Sequence, residues 1–330
     1  MSPMATEPNL LYLGTEDGLR VLRAEPTGLE RVGRSLDENA VRDVSVHPSD
    51  PREALIGCGL RGRGLHRTTD AGRTVETLGF EDEWVWGVER DPIDPETVYV
   101  GTEPPMLYRS TDGGATVDPF EGIDDLPSRP DWTFFHDPFR AGHVHGIAIH
   151  PDRPDRLFAG VEHGALLYTH DGGERWHEAL VGRDLHRIAI DPADPDRVFA
   201  GTGAGLYRSE DAGDSWESVA DLAGAYVHGV VFDPDRPNRA YVYADRDGEP
   251  VFRSANRGES WRPVGDGLPA AGPADTLRTL PDDPARLVYA GETDDGTSRL
   301  YASDDAGDSW HRLDGTFPKI WRLEVAPATV

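Results

Sequence analysis

The chain has 330 residues and carries 60 Asp and Glu against 33 Lys and Arg, a formal charge of −27 at pH 7. Such a field repels phosphate backbones and anionic headgroups, which excludes nucleic acid and charged membrane surfaces as partners. Cys58 is the only cysteine, which excludes a disulfide framework and a cysteine-built metal centre, while 37 Gly and 27 Pro favour a turn-rich fold over long helices.

In chain order, Leu11–Arg20 reads as two short strands meeting at Asp17-Gly18, the second and third strands of a unit that lacks its first. Six complete units then begin near Val41, Val85, Val144, Leu185, Val227 and Thr276. The pattern is clearest in the fourth of these: His186–Pro192, Arg197–Thr202 and Gly205–Ser209 are short β-branched or aromatic runs, each bounded by Pro or Gly. That is strand periodicity, not helix periodicity. Cys58 falls in such a run and reads as a buried strand residue, and Arg61-Gly62-Arg63-Gly64 reads as a surface hairpin. Trp321–Pro327 at the other end matches a first strand with nothing after it. Joined to Leu11–Arg20 through space, it completes a seventh blade and leaves no open edge in the ring. The prediction is an all-β fold, a seven-bladed propeller of four-stranded antiparallel blades forming a single domain over residues 1–330.

Within each complete unit an eight-residue pattern recurs, S/T-x-D-x-G-x-S/T-W, as at Ser209–Trp216, with Val75 and Val117 for Trp in the first two copies and Arg175 at the seventh place of the third. Its third position is Asp70, Asp112, Asp171, Asp211, Asn256 and Asp305 in turn, at steps of 42, 59, 40, 45 and 49 residues. The pattern resembles the Asp-box, or BNR repeat, of sialidases, sortilin-type receptors, xyloglucan-degrading glycosidases and photosystem II assembly factors. The resemblance covers essentially the whole chain. It implies that the Asp is structural, fixing the turn between third and fourth strands, that Gly at the fifth position takes positive φ, and that the Trp packs between blades. Sialidases are six-bladed and carry an Arg-Ile-Pro stretch near the start; this chain has seven units and no such stretch, which argues against that activity.

The acidity runs along the whole chain and Lys319 is the only lysine, a balance that resembles the proteins of salt-accumulating halophiles. The first thirty residues show neither a basic start nor an apolar run, and no segment reaches about 18 apolar residues, so a cytoplasmic protein is expected. A monomer is expected as well.

Propellers bind ligands where the innermost strands begin, around the central channel. Aligning the units puts one residue of each blade there: Trp321, Arg42, Trp86, His145, His186, His228 and Asp275 in ring order. His143 lies two residues before His145 and shares its side of the strand. Two readings fit the imidazoles: inter-blade packing, or a site in which His145, His186 and His228 converge on a divalent transition metal or another ligand. Arg42 suits an anionic group and Asp275 a metal or a second ring nitrogen, while Trp86 and Trp321 are either core caps or stacking platforms. Residues 123–142 form an insertion after the third blade, carrying Trp132, Phe134, Phe135, His136, Asp137 and Phe139. It is expected either to fold back over the mouth, bringing His136 to the site, or to offer a partner patch.

Function then divides into two classes. The first is a binding or scaffold protein taking a small molecule, a glycan or a protein at the mouth. The second is an enzyme using the same mouth, a glycoside hydrolase or lyase or a metal-dependent enzyme. A glycosidase needs two carboxylates across the mouth, and the sequence offers Asp275 with Asp184 and Asp137 as second candidates.

Overall fold

The computed structural model describes residues 9–25, 28–134, 141–269 and 275–328. Seven four-stranded antiparallel sheets stand around a common axis. The first blade runs outward from Ile320–Pro327 through Asn9–Thr15 and Gly18–Glu25 to Gly28–Ser35. The other six follow in chain order, with inner strands Val41–His47, Trp84–Arg90, His143–Ile149, Leu185–Ile190, Tyr226–Phe232 and Leu277–Leu280. The chain is thus a seven-bladed β-propeller whose ring is closed by its C-terminal strand. In that closure Leu323 sits opposite Leu13, and Val325 opposite Leu11. No helix among the described residues is long and apolar enough to cross a membrane.

The core lies between blades, not in the channel. Leu11, Leu13, Ile320 and Leu323 of the first blade pack on Leu280, Val288, Ala290 and Leu300 of the seventh. Close approach is made by one glycine in the second strand of most blades. A Cβ on Gly101 would lie 2.3 Å from the Val144 carbonyl oxygen of the next blade, and one on Gly201 would lie 2.8 Å from the Val227 oxygen. Any side chain there would wedge neighbouring blades apart.

The recurring eight-residue pattern forms the turn between the third and fourth strands of six blades. Asp211 Oδ1 accepts from the Ser215 backbone N–H at 2.8 Å and from Ser209 Oγ at 2.8 Å, and Oδ2 accepts from Ser215 Oγ at 2.6 Å. Ser209 Oγ in turn accepts from the Gly213 N–H at 2.9 Å. The same set recurs at Asp70, Asp112 and Asp305. Asn256 keeps it by donating its amide to Ser260 Oγ at 2.9 Å. Left-handed backbone spans two positions, not the glycine alone: Ala212 has φ 57° and Gly213 φ 98°. The Trp of the pattern crosses blade boundaries, as Trp176 does edge-on to Phe120 and Trp261 to Phe199. Because the third strand begins at the channel mouth and runs away from it, these turns lie at the opposite end of the blades.

Candidate functional site at the channel mouth

Where the inner strands begin, six blades share an irregularity that decides which way their side chains face. One residue of the inner strand has no partner in the second strand: Arg42 falls between paired Val41 and Asp43, Trp86 between Val85 and Gly87, and His145 between Val144 and Gly146. His228 and Trp321 are inserted in the same way, and His186 lies in the corresponding shift of its blade. A bulge of this kind re-aims its side chain. Here it turns each one into a cavity of about 200 Å³ at the mouth, which Asp275 from the seventh blade also lines.

Below the mouth the channel is closed by ion pairs. Asp43 accepts from Arg187 at 2.9 Å and lies 3.1 Å from Arg322 Nε. Asp275 is held by Arg278 at 2.6 and 2.7 Å, by Arg187 at 3.0 Å, by Arg322 and by the Tyr243 hydroxyl. Burial would push its carboxyl up, but these cations outweigh burial and hold it far below the ordinary range. Asp275 therefore lines the cavity as a saturated carboxylate, with its lone pairs already committed to the floor.

The three histidines read from the sequence as one ligand set do not share a donor cluster. His186 donates through Nδ1 to the Val227 carbonyl at 2.7 Å, and its Nε2 lies 2.9 Å from the Tyr226 hydroxyl and 3.4 Å from Asp184. Against the opposing effect of burial, the hydrogen bond and charge of Asp184 raise its pKa. His228 faces the ring of Tyr243 with centroids 6.0 Å apart, and burial pushes it down to about 3. His145 donates from Nε2 to the Leu185 carbonyl at 3.0 Å and is likewise pushed down to about 3 by burial, so it is neutral.

The donors that do converge are His143, His145 and a residue missed in the sequence, Glu162. Glu162 ends the second strand of the fourth blade and sits directly opposite His143 in the ladder. Its Oε2 is 2.6 Å from His143 Nε2 and 3.5 Å from His145 Nε2. Burial alone would raise its pKa, but the His143 contact and the neighbouring imidazoles prevail, and it stays ionised. The pairing was legible in principle, since Glu103 and Glu162 close the second strands of adjacent blades, but it requires the ladder register. Asp184 is held low by His186 despite burial.

Arg42 is the other unusual group. Its guanidinium carbon lies 4.3 Å from the Trp86 ring centroid and 4.0 Å from that of Trp321. Nε and Nη1 are buried and have no hydrogen-bond partner among the described residues. Burial lowers its pKa to about 10, which leaves it charged at neutral pH. Both indoles face this cation.

Of the insertion, Trp132 is buried against Ile123, Leu126, Val144 and Val161 and donates to Ser128 Oγ at 2.8 Å. Phe134 lines the cavity and meets the His163 ring edge-on at 4.5 Å. Phe135, His136, Asp137 and Phe139 lie outside the described residues.

Comparison with known proteins matches the fold more broadly than any sequence family. The family model for sortilin, neurotensin receptor 3 (Sortilin-Vps10) covers residues 204–326. Vacuolar protein sorting/targeting protein 10 of Colletotrichum graminicola is 35% identical over 89 residues, which are 26% of this chain and 6% of that protein. An oligoxyloglucan-reducing end-specific xyloglucanase of Emericella nidulans is 24% identical over 193 residues, 47% of this chain and 22% of the enzyme. The chain therefore spans only a small part of the curated relatives it matches. Among solved structures, the periplasmic gluconolactonase PpgL of Pseudomonas aeruginosa aligns over 96% of this chain and 99% of its own, with a TM-score of 0.66 and 12% identity. The shared feature is the fold.

Proposed function

We propose that this propeller is a binding protein that captures a small anionic ligand, a carboxylate in the first instance, at the mouth of its channel. The observation that carries the reading is Arg42, a cation set between Trp86 and Trp321 with two buried nitrogens that have no hydrogen-bond partner among the described residues. A buried charge without a paired counter-charge is costly, so folding leaves a site whose desolvation has already been met and whose donors await an acceptor. A guanidinium offers a carboxylate two parallel N–H donors. The two indoles fix the plane of that fork, and Phe134 supplies an apolar wall. A cavity of about 200 Å³ is smaller than the ~300–1,000 Å³ of sites for drug-sized ligands, which favours a small acid or the charged end of a larger partner. The eight-residue turns fit this division of labour. As in the Asp-box pattern they resemble, they stiffen the far end of six blades and leave the mouth free to vary.

The test is calorimetric titration with acetate, succinate, glucuronate, phosphate and the matching neutral amides. Binding of at least one carboxylate is expected, with loss of ~10- to 100-fold in affinity in Arg42→Met, the scale of one charge-assisted hydrogen-bonded pair. Equal affinity in wild type and Arg42→Met would remove Arg42 from the site.

A second reading, glycoside hydrolysis or lysis at the same mouth, draws on the xyloglucanase matches and on Glu162 and Asp184 as its carboxylates. It is the weaker one on electrostatic grounds. Both carboxyls are held low, whereas general-acid catalysis needs one raised. Release of reducing ends from xyloglucan or polyuronate, abolished by Glu162→Gln, would establish it instead.

A further inference from the structure

The same cavity carries a second feature that does not depend on Arg42. We propose that His143, His145 and Glu162 form a binding site for one divalent transition-metal ion, placed in the fourth blade beside the anion pocket. The three donors lie within 4.8 Å of one another. All come from one hairpin of neighbouring strands: His143 and Glu162 are directly paired across the ladder, and His145 is the bulged residue that follows. A site on paired strands is held more firmly than one on loops.

The distances suit a metal. Two ligands each about 2.1 Å from a tetrahedral ion stand about 3.4 Å apart. The His145 Nε2 to Glu162 Oε2 separation is 3.5 Å, and the His143 Nε2 to Glu162 Oε2 separation of 2.6 Å need open by only about 0.8 Å. His143 is kept in orientation by stacking on Trp86, with centroids 3.7 Å apart and planes at 17°. Its far nitrogen, Nδ1, lies 3.7 Å from Glu103 Oε2, so a carboxylate stands on the side of the ring away from the ion. On binding, His145 exchanges its bond to the Leu185 carbonyl for the metal and carries its proton on Nδ1. Two imidazoles and one carboxylate select zinc, iron, nickel or copper over magnesium or calcium, and leave coordination positions open to the cavity. An anion held by Arg42 would lie within the same cavity as those positions.

This set differs from the trio read from the sequence, and the difference makes the test sharp. Untagged protein is stripped with chelator and titrated with Co²⁺, followed by visible absorbance, and with Zn²⁺, followed by calorimetry. One equivalent is expected to bind, and excess Zn²⁺ should raise the melting temperature of the wild type. His145→Ala and Glu162→Gln should each weaken binding at least 10-fold, and His228→Ala should bind as the wild type does. His143 is fully buried, so it is left unaltered; if His145→Ala fails to fold, the nearly isosteric Glu162→Gln still discriminates. The proposal is overturned if the wild type takes up no metal below millimolar concentration, or if Glu162→Gln binds like the wild type. Loss of binding in His228→Ala with retention in Glu162→Gln would overturn it in favour of the sequence-derived trio. Arg42→Met removes a positive charge that interacts with Glu162, so it should not weaken uptake of the metal although it weakens carboxylate binding, which separates this site from the anion pocket.

Discussion

Ring closure rests on Leu323. Its side chain is fully buried and lies between Leu11, Leu13 and Leu22 of its own blade and Leu280, Val288 and Leu300 of the seventh. Trimming it to alanine removes three buried carbons from a junction where both neighbours are β-sheets, which collapse poorly into a void. A cost of about 3 kcal/mol is expected, within the ~2–5 kcal/mol range for buried Leu→Ala changes. At roughly 2.1 cal/mol/K per residue, the unfolding entropy of a 330-residue domain is about 0.7 kcal/mol/K, so the melting temperature should drop by about 4 °C. Deleting residues 320–330 goes further. It removes Ile320, Leu323 and Ala326 from the core, takes Arg322 from Asp43 and Asp275, and bares the Asn9–Thr15 strand as an edge. That loss rivals the ~5–15 kcal/mol total stability of a typical domain, and no cooperative native transition should remain. Circular dichroism melts of the three proteins give the readout. A Leu323→Ala protein within 1 °C of wild type, or a truncated one melting like the full chain, would refute closure by this strand.

Asp211→Ala removes the acceptor of three hydrogen bonds at one turn and should cost about 1–3 kcal/mol in a chemical-denaturation curve while leaving carboxylate affinity unchanged, because the turn lies at the far end of the blade. Acidification should destabilise the fold: His145 and His228, held neutral down to about 3, have folded pKa values below the unfolded ~6.5, so their stabilising effect is complete above that pH and drains away as pH falls from 6.5 towards 3. His186, raised by Asp184, works in the opposite direction and loses its contribution as pH rises through its folded value, but it is one group against two. Melting temperatures from pH 8 to 4 check this, with His228→Phe expected to flatten the fall; a midpoint that rises on acidification would contradict it. With −27 charges on one domain, melting temperature should also climb between 0.1 M and 2 M KCl, and a flat series would show that net repulsion contributes little.

The blade count, the split first blade and the turns follow from local rules that one chain reveals by repeating them. Six of the seven blades carry a Gly in the second strand and six carry the S/T-x-D-x-G turn (Asn for Asp in one), so the fold is over-specified in sequence. The mouth column could be read off by aligning the repeats, because equivalent residues in equivalent blades must meet at the same end of the axis. What each member does there was decided by contacts across the ring. Arg187 and Asp43 pair although 144 residues separate them, and Arg187, Arg322 and Arg278 together consume Asp275. Among the described residues Arg42 has no ion-pair partner; its two flanking blades present indoles instead, so its charge remains available. His145 and His186 look alike in the alignment, yet the hydroxyl of Tyr226 and the carboxylate of Asp184 engage one, while Glu162 draws the other towards His143. A repeat fixes where a side chain begins. Charge pairing, burial and the bulge that re-aims it depend on what the adjoining blades supply, and that is a property of the closed ring alone.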